Sequence, residues 1–257
     1  MTTWTSRSSY AESPLTSAQR RRVVTRVRRV VTTRRGGVSQ APYDTFNLGA
    51  HVGDDPRTVE VNRDRLAREL ALDRGSLAWM HQVHGDDVTV VRSTAAAQIP
   101  VCDALVTDVP GVALAVLVAD CVPVLLADGQ AGIVGAAHAG REGVRRHVAT
   151  RTVEAMVGLG ADRQRLDVLL GPAICGRCYE VSQNLVDEFE TAAPGGASRT
   201  ATGAPALDLR AALTDELGRL GVGRVVSDPR CTAEDPALYS HRRDGITGRQ
   251  AGVVWLS

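Results

Sequence analysis

The segment from Cys102 to Gly140, CDALVTDVPGVALAVLVADCVPVLLADGQAGIVGAAHAG, constrains this chain more than any other part of it. It holds three uncharged apolar runs, 112–118, 122–127 and 132–137, the last two separated by the turn signal Asp128-Gly129. Near-continuous apolar runs of this kind mark strands that are covered on both faces. Three adjacent buried strands are expected, and other elements must supply their cover.

The flanking sequence provides such elements. VVTRVRRVVTTRRGGVS is rich in β-branched residues and stops at Gly36-Gly37, which reads as one long or two short strands ending in a turn. Asp55 stands as an N-cap before Pro56, and Val59, Asn62, Leu66 and Leu70 recur at helical spacing. WMHQVHGDDVTVV reads as a short strand, a turn at Gly85-Asp86 and a second strand carrying Val88 and Val90. Residues 143–159 read as one helix with Val144, Val148, Thr152, Ala155 and Leu159 on its apolar stripe. Beyond it come a strand and loop in DVLLGPAICGRCYEV, a helix in SQNLVDEFETAA and a loop in PGGASRTATGAPA. LDLRAALTDELGRLG is a second helix, VGRVVSD a strand, and a charged loop precedes a final strand at the C-terminus. No repeat or proline-rich linker divides the chain. Residues 1–21 read as a flexible leader and residues 22–257 as one domain in which strands and helices mingle.

A net charge of +1 over 257 residues gives no reason to expect nucleic acid or a membrane as partner, and leaves a small molecule as the default ligand. All 30 basic residues are arginine, a pattern that reflects coding bias more than function. No apolar run reaches the length of a membrane span, and the first 22 residues lack the apolar centre of a signal peptide, so a cytoplasmic location is expected. The five cysteines are then expected to be reduced, and an odd number argues against a disulfide framework.

His84 in HQVHG, Cys121 in ADC and His138 in AAHAG each stand where a strand ends. Residues at strand ends can converge on one sheet edge. Two imidazoles and a thiolate suit zinc, and three protein ligands leave the fourth tetrahedral position for water, the pattern of a catalytic centre. Spacing alone leaves a second reading open, a small buried cysteine and two turn histidines. Asp120, beside Cys121, could orient an imidazole or accept a proton, or be a solvated loop carboxylate. The glycines of HAGREG, with Arg141 beside them, could hold an anion at a helix start or simply serve tight packing. CGRC, at Cys175 and Cys178, has the spacing of a redox pair or half a structural zinc site. With no second such pair and only Cys231 far away in sequence, turn cysteines are the favoured reading. SHRRDG, residues 240–245, reads as a substrate rim or a solvated loop.

Taken in order, TTRRGGVS, FNLGAHVGDDP, NRDRL, QVHGDDV, DALVT, ADCVPVLLAD, AAHAGREG, LGPAI with YEV, and SHRRDG with GR resemble the YfiH-like, laccase-domain family of purine nucleoside phosphorylases from about Thr32 to Trp255. The resemblance implies a single α+β domain of mixed sheets flanked by helices, the YfiH-like or cytotoxic-necrotizing-factor-like fold. It implies zinc on His84, Cys121 and His138, copper being the less expected metal. The implied reactions are phosphorolysis of adenosine, guanosine, inosine or methylthioadenosine and hydrolytic deamination of adenosine, with nucleoside and phosphate as partners and a monomer or weak dimer as the working form. Asn47, Arg63, Gln82 and Asp120 lie in the shared motifs as candidate site residues. Where many members read Trp-Arg-Gly after HAG, this chain has Arg141-Glu142-Gly143, so the phosphate role of that turn does not carry over directly. The rival readings are a copper polyphenol oxidase, a cysteine hydrolase or amidase on cell-wall precursors with Cys121 as nucleophile and His138 as base, and a metal-binding module without turnover.

Overall fold

The apolar heart of the chain is divided between two sheets. In the computed structural model, which describes residues 26–93 and 99–257, chain order begins β1 (Val27–Val31), α1 (Pro56–Glu69), β2 (Leu77–Ala78), β3 (Val88–Val90), β4 (Ala104–Thr107) and β5 (Ala113–Val118). It continues β6 (Val122–Asp128), β7 (Ile133–Ala139), α2 (Arg141–Arg145), α3 (Val148–Gly158), β8 (Asp167–Leu170) and α4 (Gln183–Ala192). It ends β9 (Ala197–Arg199), β10 (Pro205–Leu207), α5 (Leu209–Arg219), β11 (Arg224–Ser227), α6 (His241–Asp244) and β12 (Gln250–Leu256). The expected leader, residues 1–21, lies outside the described residues.

One sheet has the order β11-β8-β6-β7-β4-β3 and the other β1-β12-β5-β2, each mixing parallel and antiparallel pairs. The three apolar runs are buried strands, as expected, but they are not three neighbours. β6 and β7 pair with each other, whereas β5 pairs with β12 and β2 in the second sheet. Leu105, Leu125, Val134 and Ala136 of the larger sheet pack against Leu114, Val116, Val118 and Val254 of the smaller one. The outward faces are then covered by helices. Val124, Leu126 and Ile133 lie under Met156 of α3, Phe189 of α4 and Leu213 of α5, while Ala113, Ala115 and Val253 lie under Leu66 and Ala67 of α1. The result is an α/β/β/α stack, an α+β domain with mixed sheets flanked by helices.

Four local readings change: the short strand expected from Trp79 onward lies just before it as β2, the charged loop ahead of the final strand contains the short helix α6, and two further changes concern a helix and a loop. The stretch 143–159 is two helices, because His147 takes φ 62°, a left-handed conformation that a continuing helix cannot contain. The loop at 194–206 contains the antiparallel hairpin β9-β10. The first helix forms as read: the Asp55 side chain accepts from the Arg57 N–H, and Val59, Asn62 and Leu66 are buried.

Asn62 is the polar member of that buried face. Its amide donates to the Ser39 hydroxyl and to the carbonyls of Thr45 and Asn47, and its Oδ1 accepts from the Val38 N–H, tying α1 to the loop that precedes it. Asn62→Ala leaves these buried partners unmet and should cost about 3 kcal/mol. Thermal denaturation checks this, with Tm expected to fall by about 10 °C.

Candidate metal centre

Twice the chain crosses from the smaller sheet to the larger, and each crossing carries one of the residues singled out in the sequence. Between β2 and β3 it turns at His84, φ 60°, and between β5 and β6 it turns at Asp120, φ 91°, immediately before Cys121. Such conformations cost a non-glycine residue roughly 1–3 kcal/mol, and neighbouring structure must hold them. His138 is supplied by β7 itself, paired with Pro123 across the ladder. The side-chain ligand atoms of His84, Cys121 and His138 lie within 4.8 Å of one another, and the two imidazole rings meet edge to face with centroids 4.7 Å apart. His138 is buried, Cys121 half-buried and His84 exposed, so one side of the cluster is open to an incoming ligand.

A residue that the sequence reading did not single out binds the cluster together. Asp103, fully buried just before β4, accepts from His138 Nδ1 at 2.8 Å and from the backbone N–H groups of His84 at 2.9 Å, Val83 at 3.1 Å and Gly85 at 2.7 Å. It therefore fixes both the strained His84 turn and the tautomer of His138, leaving Nε2 as that ring's donor atom. Burial works against its negative charge, but His138 and the N–H groups of Gly85 and Val83 hold its carboxyl below the usual range. Its sequence signals were its place at the head of an otherwise apolar strand and at the start of the shared motif DALVT.

The remaining candidates separate. Asp120 lines the same cavity, but its carboxylate accepts from the Thr232 hydroxyl and the Arg242 N–H, and Asp103 is the acid that orients an imidazole. Gln82 also lines the cavity, with its amide paired to the Leu117 backbone at 2.8 Å in both directions. Arg141 faces the cavity from the start of α2. Asn47 and Arg63 stand outside its walls. Asn47 is buried and holds Gly49, Asp54 and the Arg249 N–H, while Arg63 donates to the Leu48 carbonyl and lies over the Trp79 ring. Both belong to the scaffold beneath the site. His241 and Arg242 of SHRRDG do line the cavity, joined by His51, Tyr179 and Arg249, which lie in or beside quoted motifs without having been assigned.

The cavity encloses about 380 Å³. Its walls carry three arginines, Arg141, Arg242 and Arg249, against one carboxylate, Asp120. Partial burial, followed by the nearby Arg249, His81, Arg63 and His138, holds the His51 imidazole below its ordinary range, so it is neutral near pH 7. At the metal cluster the effect is opposite. Burial penalises both charges, yet His138 and His84 lower the Cys121 thiol to about 6, and Cys121 and Asp103 raise His138 to about 9. Without a metal the centre is thus a thiolate-imidazolium pair between about pH 6 and pH 9. In metal-free protein, alkylation of Cys121 by iodoacetamide should stay fast down to about pH 6 and slow below it, as the thiolate gains its proton. Peptide mapping against pH checks this; a rate that falls away near pH 9 would show an ordinary thiol.

Gly140, the residue before α2, gives the cluster its room. A Cβ there would stand 3.0 Å from Cys121 Sγ and 3.0 Å from His84 Cδ2. Gly140→Ala should weaken metal binding about 10-fold, as ligand-positioning changes do, while Tm moves little. Chelator competition measures the first and calorimetry the second.

Residues 28–257 match the family described as multi-copper polyphenol oxidoreductase laccase. A purine nucleoside phosphorylase of Mycobacterium tuberculosis is 53% identical over 234 residues, 91% of this chain and 94% of that protein. The crystal structure of a Neisseria meningitidis protein superposes with a TM-score of 0.82 at 39% identity, covering 90% of this chain and 94% of the other. That of Bacillus licheniformis YfiH gives 0.82 at 29% identity, covering 90% and 93%. With a match over nearly its whole length and this shared fold, the chain belongs to the YfiH-like, laccase-domain family.

Proposed function

We propose that this chain is a zinc-dependent purine nucleoside phosphorylase that takes adenosine, guanosine, inosine or methylthioadenosine and also deaminates adenosine. One observation carries the reading: His84, Cys121 and His138 converge at a cavity of nucleoside size whose walls bear three arginines. The purine nucleoside phosphorylase name of the mycobacterial relative supports it. The donor set fits zinc, with two imidazole nitrogens, a thiol already inclined to ionise and a glycine that keeps the space clear. When bound, such an ion supplies a Lewis acid and lowers the pKa of water.

The chain's own groups do the rest. Asp103 keeps the His138 proton on Nδ1 and holds His84 in place. Arg141, Arg242 and Arg249 bind phosphate through charge-assisted hydrogen bonds and aim an oxygen at the anomeric carbon. A new carbon–oxygen bond forms as the bond to the purine nitrogen breaks, and the departing base takes the electron pair and a proton. His241 lines the cavity with its Nδ1 held by the Gly245 carbonyl at 2.7 Å, which leaves the opposite ring nitrogen to relay that proton from the attacking phosphate to the base. In deamination water adds to the amino-bearing purine carbon, ammonia leaves, and Asp120 shuttles the proton.

The test is one preparation assayed for metal and then for adenosine turnover with and without phosphate, following adenine, inosine and ribose-1-phosphate. About one zinc at this centre with phosphate-dependent adenine release is expected. Zinc without any purine product would overturn the reading.

A second reading has its own observation. Cys121, His138 and Asp103 also make a nucleophile, base and orienting acid, as a cysteine amidase requires. Turnover that survives a chelator, with a covalent adduct on Cys121, would favour it. The copper oxidase named in the family description is less well served. Among the described residues the two groups able to hold a metal are this one and a cysteine-rich one, and neither supplies the histidine cluster that laccase chemistry needs. Five free cysteines agree with a reducing, cytoplasmic setting, and a monomer or weak dimer completes the proposal.

A further inference from the structure

The CGRC motif finds in the fold the partner that its sequence lacks. Cys175 and Cys178 end one four-residue turn, closed by the Cys178 N–H on the Cys175 carbonyl at 2.9 Å. Cys231 and Glu234 end a second, closed in the same way at 3.2 Å. A parallel bridge between Ala173 and Cys231 sets the two turns side by side, and the Cys175 N–H donates to Cys231 Sγ at 3.3 Å. The sulfurs of Cys175, Cys178 and Cys231 and a carboxylate oxygen of Glu234 lie within 4.8 Å of one another. None of the four residues lines the cavity described above.

We propose that Cys175, Cys178, Cys231 and Glu234 form a second, structural zinc site. Two turns that each present a ligand at both ends, C-x-x-C and C-x-x-E, build a closed four-ligand shell around one ion. For zinc–sulfur bonds of about 2.3 Å the tetrahedral edge is about 3.8 Å, so the observed span needs only a small contraction. Three thiolates select a soft or borderline ion over magnesium or calcium. The Cys175 N–H contact holds the Cys231 sulfur within the cluster, and Arg177, 3.6 Å from Glu234, offsets part of the negative charge. Full coordination marks the site as structural, in contrast to the three-ligand centre with its open position.

Its place in the fold gives it work to do. Ile174 and Tyr179, which flank the first turn, line the nucleoside cavity, and Thr232, inside the second, donates to Asp120. An ion shared by both turns staples these two walls together.

The test is elemental analysis of full-length protein purified without chelator. About two zinc ions per chain are expected, with about one retained in His84→Ala/Cys121→Ala and about one lost in Cys175→Ser/Cys178→Ser. Because the serine variant can fail to fold, the His84→Ala/Cys121→Ala protein is also exchanged with cobalt(II). The expected result is a near-ultraviolet thiolate-to-cobalt absorption band at about one cobalt per chain. Loss of all metal from that variant, absence of the band, or an intact mass showing a disulfide among the three cysteines would overturn the proposal. None of these readouts depends on nucleoside turnover, so the outcome is separate from that of the proposed function.

Discussion

Cys121→Ala should lower phosphorolysis by about 10³-fold or more, a loss of roughly 4 kcal/mol of transition-state stabilisation. The substitution removes the anionic ligand and leaves two imidazoles, one of them on an exposed turn. It also removes the thiolate that raises His138, so that ring returns toward its ordinary range. The fold should persist, because the crossing between the sheets is held by neighbours: the Asp120 carbonyl accepts from the Ile174 N–H, and the Asp120 carboxylate from Thr232 and Arg242. Metal content should fall by about one zinc per chain with a folded circular dichroism spectrum retained. His84→Ala separates the two catalytic readings. A phosphorylase loses turnover in both variants, whereas a cysteine amidase loses it in Cys121→Ala and keeps most of it in His84→Ala. Turnover unchanged in Cys121→Ala would exclude both.

The sequence made the buried strands legible, because a strand covered on both faces must be apolar throughout, as β5, β6 and β7 are. It did not say which sheet each joins. That depends on pairing with residues far along the chain, and β5 finds β12 more than 130 residues later. The break at His147 was hidden because no glycine or proline marks it, and the β9-β10 hairpin because each strand is only three residues long, too short to show an alternating pattern. At the site, histidine and cysteine announced their chemistry by type. Asn47 and Arg63 did not, since a polar residue within a motif can equally brace the backbone beneath it. Cys231 looked isolated only because 52 intervening residues separate it from Cys178, a distance that the bridge to Ala173 cancels. Asp103 was overlooked for the same reason: its role exists only once β4 pairs with β7 and sets it beside His138.

Asp103→Asn tests how much of the centre depends on that pairing. The carboxylate accepts four hydrogen bonds, and an amide of the same shape offers one accepting oxygen and one donating nitrogen. Whichever way the amide turns, N–H groups of the Val83–Gly85 turn or the His138 ring face a donor. The expected cost is about 3 kcal/mol of stability, together with a 10- to 100-fold loss in zinc affinity and in turnover. A buried brace with no chemical role would give the first effect alone. The second is read from His138 in metal-free protein, whose pKa should fall from about 9 toward its ordinary value of 6.5 once the carboxylate is gone. The sign follows from linkage. A raised imidazole stabilises the fold below its unfolded value and that contribution disappears as pH rises through about 9, while the lowered Cys121 thiol contributes with the opposite slope over the same window, so the effect is read as the difference between the two proteins: Asp103→Asn should cost more stability at pH 6 than at pH 9. NMR titration of the imidazole and chelator competition for zinc measure the two quantities independently. If both stay at wild-type values while Tm drops, Asp103 is a staple for the His84 turn and nothing more, and the basicity of His138 must come from Cys121.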